Sequence, residues 1–377
     1  MKDRLSPLDI LKREIFRLYK KSVIKKHQLN YLFWECTLRC NLNCLHCGSD
    51  CLKKSSVPDM PAQDFIQVIK GIKKTGLRNL TVCITGGEPL LRDDLEYVGQ
   101  EIRKCGYNWG LVTNGLLMTA ERFNSLISNG MRSMSVSLDG LEAEHTFLRQ
   151  NPKSFKNVEN TINLCVEHKK KSKNFVFDVI TCVHQNNLKT LPALRDYLIQ
   201  HSVENWRIFS IFPSGRAEEK KNELGVSPKE YLELMQFIEQ TRLYVSEDNK
   251  KIHLNYSCEG YLGKYELKVR DYFFFCRGGI NVGSVMCNGD VSACLSVRGK
   301  DFIQGNIYEN DFDFMTIWNS KYKCMRHRKW AKIGRCAKCH SWRWCEGNGL
   351  HLHKDCHSES LHCGLIENTF PTFCISL

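Results

Sequence analysis

Four cysteines lie within the fourteen-residue segment LRCNLNCLHCGSDC, from Leu38 to Cys51. Three of them, Cys40, Cys44 and Cys47, have the spacing CxxxCxxC, which leaves no matching fourth partner. A disulfide framework uses cysteines in pairs, and a structural zinc site uses four ligands, commonly arranged as CxxC pairs. Three thiolates on one short loop therefore indicate a metal centre with one coordination position left open.

The composition suggests a reducing compartment for these thiols. The opening residues MKDRLSPLDILKREIFRLYKK contain no continuous apolar run and no small-residue cleavage site. No later stretch approaches the roughly 18 to 20 apolar residues of a membrane span. We therefore predict a cytoplasmic protein without a transmembrane segment. Its 20 cysteines then favour metal ligation and buried thiols over disulfides.

The formal net charge is +13, from 54 Lys and Arg against 41 Asp and Glu. The basic residues are scattered, with the densest groups near 20–26 and 169–173. Cysteines that ligate clusters are thiolates, so the formal count overstates the positive charge. We do not expect nucleic acid binding from this pattern.

Short apolar runs alternate with amphipathic stretches over the first half of the chain. The runs predict strands at 31–35, 79–85, 108–113, 132–138, 175–181 and 205–211. The stretches between them predict helices at 62–74, 94–105, 120–129, 154–169 and 188–201. Strands that alternate with helices form βαβ units with a parallel sheet. Six units predict an α/β fold, a partial (β/α)6 TIM-like barrel with its active-site loops at the carboxyl ends of the strands.

The sequence predicts four segments. They are an N-terminal amphipathic helix (1–30), the barrel (31–222), a helical linker (223–254) and a small Cys-rich domain (255–377). Eight of the 20 cysteines follow Cys287, in a region with little apolar periodicity. Such a region is typical of a domain that folds around metal.

The N-terminal helix carries an apolar stripe. It consists of Leu8, Leu11, Ile15 and Leu18, opposite a basic face. We expect this stripe to pack against the barrel, as in an ordinary amphipathic helix. Contact with a membrane or a partner is the alternative.

Three glycine-containing motifs end the second, third and fourth predicted strands: TGGEP (85–89), TNG (113–115) and SLDG (137–140). Together with the cysteine triad after the first strand, this order resembles the radical SAM enzymes over about residues 31–215. The resemblance implies a [4Fe–4S] cluster held at three irons by Cys40, Cys44 and Cys47. The fourth iron would bind the amino and carboxylate groups of S-adenosylmethionine (SAM).

The same resemblance implies which residues hold SAM. Glu88 would accept a hydrogen bond from the ammonium group, and Arg149 would reach the carboxylate. His46 and Ile211 would approach the adenine. The full set of implied SAM contacts is His46, Gly86, Gly87, Glu88, Asn114, Ser137, Asp139, Arg149 and Ile211. No catalytic acid or base is predicted.

The later cysteines resemble a SPASM domain, the auxiliary-cluster domain of many peptide-modifying radical SAM enzymes. Cys276 and Cys294, with Gly289, fit its opening. The resemblance implies one complete auxiliary cluster with the ligands Cys336, Cys339, Cys345 and Cys363. Cys356 competes with Cys363 for the last position. A structural zinc site is the alternative for four cysteines.

Two positions depart from the SPASM pattern. Gly349 stands where a further cysteine is expected, so Cys276 and Cys294 would need Cys258 or Cys287 to complete a second auxiliary cluster. Leu295 replaces an aspartate of the sulfatase-maturing members, which speaks against that activity.

Several other thiols and imidazoles have structural interpretations. Cys83, Cys105, Cys165 and Cys182 lie in apolar patterns, and we predict buried thiols there. His351 and His353 are interpreted as ordinary polar residues near the auxiliary cluster.

The resemblance implies reductive cleavage of SAM to a 5′-deoxyadenosyl radical that modifies a peptide or protein side chain. The substrate would be a precursor peptide or a small lipoprotein, and an electron donor such as flavodoxin or ferredoxin would be needed. The alternatives are a radical SAM enzyme acting on RNA or a small metabolite, and a non-catalytic zinc-binding adaptor.

Overall fold

The computed structural model describes residues 5–211, 214–257 and 260–367, and for residues 366 and 367 it describes the backbone alone. The strands are β1 (Tyr31–Thr37), β2 (Thr81–Gly86), β3 (Asn108–Thr113), β4 (Met131–Ser137), β5 (Val176–Val183), β6 (Asn205–Ser210), β7 (His253–Tyr256), β8 (Val282–Val285), β9 (Asp290–Ser292) and β10 (Gly305–Asn306). The helices are α1 (Pro7–Lys26), α2 (Ala62–Lys74), α3 (Leu95–Lys104), α4 (Ala120–Ser128), α5 (Glu142–Arg149), α6 (Ser154–Lys171), α7 (Leu191–Gln200), α8 (Arg216–Glu219), α9 (Lys221–Leu224), α10 (Pro228–Leu243), α11 (Glu266–Val269), α12 (Phe314–Ser320), α13 (Lys323–Arg326), α14 (Trp342–Cys345) and α15 (Gly364–Glu367).

The strands form one curved sheet in the order β10-β9-β8-β1-β2-β3-β4-β5-β6-β7. The eight strands from β8 to β7 in this order pair in parallel, while β9 and β10 are antiparallel. The predicted α/β partial barrel is confirmed, and its six strands are all present. The sheet continues beyond residue 222, because β7 pairs with β6 and β8 pairs with β1.

Alternation along the strands separates two faces of the barrel. On β1, Trp34 is fully buried and stacks on Phe65 of α2, with ring centroids 4.3 Å apart. Its neighbours Phe33 and Glu35 point to the opposite face of the sheet, toward the barrel interior. The apolar face is thus covered by helices, and the inner face is left for polar residues and the site.

The packing of α1 differs from the expectation. Its buried residues are Arg13 and Lys20, which face the Cys-rich region: Arg13 donates to the Tyr261 hydroxyl at 2.9 Å, and Lys20 pairs with Glu346 at 2.7 Å. The stripe that was expected to pack against the barrel is exposed on the opposite side; it consists of Leu8, Leu11, Ile15 and Leu18. That prediction was wrong, because hydrogen bonds and ion pairs select the basic face for docking. No helix among the described residues is long and apolar enough to cross a membrane.

Candidate active site

The cysteine triad lies on the loop that follows β1, at the carboxyl edge of the parallel sheet. Cys40 and Cys44 are buried, and Cys47 is partly buried. The Cys40 N–H donates to Leu52 O at 2.8 Å, which closes the loop on itself. The fold therefore gathers the three thiols at one place on the barrel rim.

Arg216, the first residue of α8, holds this loop from the far side of the barrel. Its Nε donates to Cys44 O at 2.9 Å and its Nη1 donates to Cys51 O at 3.0 Å. The backbone N–H of Arg216 also donates to Cys47 O, at 3.1 Å. Sequence reasoning missed this residue, because its partners are more than 160 positions away and no motif marks it.

The fourth cysteine of the segment, Cys51, is a hydrogen-bond donor to the triad. Its backbone N–H lies 3.3 Å from Cys47 Sγ, and its thiol also donates to that sulfur. This hydrogen bond is the main cause that lowers the pKa of Cys47 to about 5, while burial raises the pKa of Cys40 to about 12. Cys51 therefore supports the thiolate form of Cys47 without occupying an equivalent position.

The two glycines of TGGEP allow a close approach of two loops. A Cβ on Gly86, where φ is +138°, would lie 2.2 Å from Thr37 O, and one on Gly87 would lie 2.1 Å from Arg39 O. The Gly87 N–H donates to Thr37 O at 2.8 Å. Only residues without a side chain fit here, directly against the segment that leads into Cys40.

The Glu88 carboxylate is fully buried and faces the sheet rather than the cavity. Its oxygens accept from the Thr113 hydroxyl and the Asn114 N–H, both at 2.8 Å, and from Leu90 N at 3.1 Å. Burial raises the pKa of Glu88, and these donors oppose the rise. The side chain thus joins β2 to the end of β3, and its interaction with an ammonium group stays a prediction.

Arg149 and Asp139 form a buried pair beside the triad. Arg149 Nε donates to Asp139 Oδ2 at 2.6 Å, and its Nη1 lies 3.7 Å from Cys44 Sγ. Burial opposes ionisation of Asp139, but Arg149 holds the pKa of that carboxyl well below its usual range. The other oxygen of Asp139 accepts from Cys182 N at 2.9 Å. Asp139 therefore positions the guanidinium group next to the cluster loop.

A cavity of about 320 Å³ joins these elements. Its wall includes all three triad cysteines. It also includes seven of the nine predicted SAM residues, namely His46, Gly86, Gly87, Asn114, Ser137, Arg149 and Ile211. The Nδ1 atom of His46 is buried there without a hydrogen-bond partner in the described structure. Burial lowers the pKa of His46 to about 3, so its imidazole is neutral. The size of the cavity and this unsatisfied polar atom fit a bound SAM.

Three side chains near Arg149 have the composition of a metal site. In the part of the chain that the structure describes, His46, Asp139 and Cys182 form the one group of three whose ligand atoms all lie within 4.8 Å of one another. The Asp139 carboxylate already forms an ion pair with the Arg149 guanidinium. The positive charge of Arg149 would also repel a metal ion bound here. We therefore interpret this group as part of the cavity wall. Of the four thiols predicted to be buried, Cys83, Cys105 and Cys165 are buried as expected. The prediction was wrong for Cys182, which is only partly buried because it lines the cavity.

The pKa shifts of Cys336 and Cys345, two of the four implied ligands of the auxiliary cluster, include contributions from other members of the set, which therefore lie near them. Burial raises the pKa of Cys336 to about 11, with Cys363 and Cys339 adding to the rise. Burial also raises the pKa of Cys345 to about 12, again with Cys363 contributing.

Cys356, the competitor for the last ligand position, has other partners. Burial raises its pKa, and a hydrogen bond with the Cys324 thiol adds to the effect. Its backbone N–H points to Asp301, at 3.4 Å. The assignment of Cys363 rather than Cys356 as the fourth ligand stays a prediction, and these contacts agree with it. His353 has Nε2 2.5 Å from Gly347 O and Nδ1 2.9 Å from Ser358 O, two carbonyl oxygens that accept from a ring N–H, as expected of an ordinary polar residue.

The second auxiliary position has two thiols in the described structure. Cys276 raises the pKa of Cys294, so the two lie near each other. Burial opposes ionisation of Cys276, but Arg328 helps to hold the pKa of that thiol below its usual value. The suggested helper Cys287 instead donates to Pro58 O at 3.2 Å. The other suggested helper, Cys258, lies outside the described residues.

Comparisons with known proteins identify two domains in the chain. The profile of the radical SAM superfamily matches residues 34–198, and that of the SPASM iron–sulfur cluster-binding domain matches residues 276–340. The chain is a radical SAM enzyme with a C-terminal SPASM domain. Its cofactors are the SAM-binding [4Fe–4S] cluster, SAM and the auxiliary iron–sulfur clusters of the SPASM domain, as predicted. The alternative of a non-catalytic zinc-binding adaptor is therefore rejected.

Individual relatives span most of the chain. The AdoMet-dependent heme synthase of Methanosarcina barkeri is 27% identical over 337 residues, which cover 83% of this chain and 89% of that protein. The mycofactocin maturase MftC of Mycolicibacterium smegmatis is 25% identical, covering 84% of this chain and 76% of that protein. The crystal structure of Streptococcus suis SuiB bound to its precursor peptide SuiA superposes with a TM-score of 0.68, at 17% identity, over 96% of this chain and 82% of that one.

A second group of residues that sequence reasoning missed closes the cavity from the C-terminal side. Arg298, which follows β9, forms an ion pair with the buried Glu35 of β1 and donates to Ser49 Oγ at 2.8 Å. Leu295 and Ser296 of the same segment also line the cavity. The SPASM region thus contributes part of the active-site wall.

Proposed function

We propose that this enzyme modifies a side chain of a peptide or protein by hydrogen abstraction. The observation that carries the proposal is the charge of the cavity wall. Among the described residues of that wall, Arg149 and Arg298 are the only lysine or arginine side chains. Arg149 is expected to hold the SAM carboxylate, and Arg298 is paired with Glu35, so neither is left for a carboxylate of the substrate. A tetrapyrrole of the kind related to a heme synthase carries several carboxylates and would need unpaired cations. A neutral peptide segment has no such requirement.

The protein's own groups would bind and orient the reactants. When bound, the cluster that Cys40, Cys44 and Cys47 would hold would pass one electron from the external donor to SAM, and SAM would supply the radical chemistry that removes a hydrogen atom from the substrate. We expect Arg149 to hold the SAM carboxylate through a charge-assisted hydrogen bond, with Asp139 fixing its orientation. Ser137 and Asn114 are expected to contact the ribose and methionine parts. The wall formed by Leu295 and Ser296 would exclude water from the reacting atoms.

The expected partners follow from this chemistry. The substrate is a ribosomally made precursor peptide or a small lipoprotein, and flavodoxin or ferredoxin supplies the electron. The cytoplasmic location stays a prediction. SuiB, whose fold this chain shares, was crystallised with a precursor peptide, and the maturase relative is compatible with the same substrate class.

The test uses the anaerobically reconstituted full chain with SAM, a reductant and the short peptides encoded beside its gene. A substrate peptide should increase 5′-deoxyadenosine formation and change in mass. When it is deuterated at the modified side chain, deuterium should appear in 5′-deoxyadenosine.

The matched control replaces Cys40, Cys44 and Cys47 by Ala, which should abolish both products. An iron porphyrin tetracarboxylate, tested in parallel, should leave 5′-deoxyadenosine formation unchanged. Turnover of the porphyrin without turnover of any peptide would contradict the proposal and favour tetrapyrrole chemistry.

A further inference from the structure

The helix α1 is held rigidly by one face. Arg13 and Lys20 form the polar contacts of this face, as described above. Phe16 adds an apolar contact, because its ring packs against that of Phe273 with centroids 5.5 Å apart. The Trp344 indole donates to Glu14 at 2.9 Å. These contacts fix the rotation of the helix about its own axis, so the direction of its other face is determined by the fold.

That other face is apolar and exposed. The side chains are Leu8 (59% exposed), Leu11 (55%), Ile15 (60%) and Leu18 (61%), with Tyr19 beside them. Their spacing of three and four residues places them on one stripe along the helix. Four large aliphatic side chains exposed in a row are unusual for a soluble surface and indicate an interaction site.

The charges around the stripe are positive. Lys12, Lys21, Lys25 and Lys26 are all exposed and lie along or beside it. The two carboxylates of the helix are engaged elsewhere: Asp9 accepts from Ser6 at the helix start, and Glu14 accepts from Arg17 and Trp344. The face therefore combines apolar side chains with lysines that form no ion pair with any residue that the structure describes.

The combination of an apolar stripe with surrounding lysines indicates what binds to this face of α1. Two copies of the chain that met stripe to stripe would bring their lysines together, which is unfavourable. An anionic lipid surface complements both the apolar stripe and the lysines, because its anionic headgroups lie just above an apolar layer. The lysine ammonium groups can reach the headgroups while their aliphatic stems stay in the apolar layer. We propose that α1 lies flat on an anionic lipid bilayer, with Leu8, Leu11, Ile15 and Leu18 inserted between the headgroups.

The orientation would place the whole enzyme on the membrane surface. The helix has 20 residues and is therefore about 30 Å long. Its docked face is covered by the segments 261–273 and 344–346, which flank the matched SPASM residues, so these segments would lie directly above the lipid. The proposal does not depend on which substrate the active site accepts.

The test is co-sedimentation of the reconstituted full-length enzyme with vesicles of phosphatidylcholine containing about one third phosphatidylglycerol. The wild type should bind these vesicles, bind pure phosphatidylcholine much more weakly, and dissociate as salt is added. Leu11→Glu with Leu18→Glu should lower the partition coefficient at least tenfold. Lys12→Gln with Lys21→Gln should lower it roughly 20- to 30-fold, since each basic residue near an anionic surface contributes about a factor of five.

Matched controls change equally exposed residues elsewhere. Val176→Glu with Leu243→Glu, and Lys170→Gln with Lys229→Gln, should bind like the wild type. All variants should keep SAM cleavage, which shows that they are folded.

Three results would overturn the proposal. The first is equal sedimentation of the wild type and the Leu11→Glu, Leu18→Glu variant. The second is a wild-type dimer that this variant dissociates, because the stripe would then face a second copy. The third is binding to an acidic protein without binding to the anionic vesicles.

Discussion

At the scale of single residues, Arg149 contacts both the cluster loop and the carboxylate that positions it. Arg149→Ala should weaken SAM binding by about 10- to 100-fold, because a charge-assisted hydrogen bond contributes about 1.5 to 3 kcal/mol. Anaerobic equilibrium dialysis with SAM measures the effect. Arg242→Ala removes an arginine that is paired with Asp271 outside the cavity wall and serves as the control. Unchanged SAM affinity in Arg149→Ala would place the carboxylate elsewhere.

Cys51 tests the distinction between a ligand and a hydrogen-bond donor. Because its thiol and N–H both donate to Cys47 Sγ, Cys51→Ala should retain the SAM-responsive cluster. Cys47→Ala should lose it, since a ligand is then missing. Iron content and the change in the EPR signal on adding SAM measure both variants. Loss of the cluster in Cys51→Ala as well would mean that Cys51 is a ligand.

At the scale of elements, the junction between β2 and the cluster loop depends on Gly87. A Cβ at this position would overlap Arg39 O, so Gly87→Ala must displace the backbone before Cys40. We expect a loss of about 1 to 3 kcal/mol in the free energy of unfolding, as for other overpacked sites, together with a lower cluster content. Gly48→Ala is the matched control, because its nearest contacts would be at 3.9 Å. Equal stability of the two variants, measured by urea unfolding, would contradict this account.

The link between β4 and α5 should depend on pH through His145. Its Nδ1 accepts from Asp139 N at 3.1 Å, and its Nε2 lies 2.8 Å from Ser154 Oγ. Burial lowers its pKa to about 4, whereas an unfolded histidine titrates near 6.5. Between these values the unfolded state binds the extra proton, so stability is lost as the pH falls below about 6.5.

The expected size of this effect is about 1.3 kcal/mol between roughly pH 7.5 and pH 5.5. Urea unfolding at both pH values should show that His145→Gln loses less stability than the wild type by about this amount. Parallel pH profiles for the two proteins would show that His145 titrates as it does in the unfolded chain.

At the scale of the whole molecule, the number of complete ligand sets determines the iron content. By the predicted assignments, the triad and the set of Cys336, Cys339, Cys345 and Cys363 would each hold one [4Fe–4S] cluster, while Cys276 and Cys294 would need further ligands to hold another. We predict about eight irons per chain, and about four after the triad is replaced by Ala. About eight irons remaining in that variant would require a second auxiliary cluster. Zinc in place of the remaining iron would indicate a structural role for the SPASM domain.

The sequence by itself determined the barrel and the family. The six predicted strands have their observed positions to within about two residues, and the motifs at their ends are gathered on one rim. Both follow from local information: side-chain alternation defines a strand, and parallel pairing brings carboxyl ends together. The cysteine spacing was enough to predict a cluster-binding loop, because the three predicted ligands are close together in the sequence.

The tertiary structure decided the features that depend on distant partners. Glu88 faces the sheet because Thr113 and Asn114 supply donors there, and Arg216 reaches the cluster loop from 165 residues away. Periodicity correctly predicted the apolar stripe of α1, but the prediction that this stripe packs against the protein was wrong. Periodicity shows that a helix has an apolar face; it does not show that Arg13 and Lys20 find acceptors more than 240 residues further along the chain, and those contacts turn the apolar face outward.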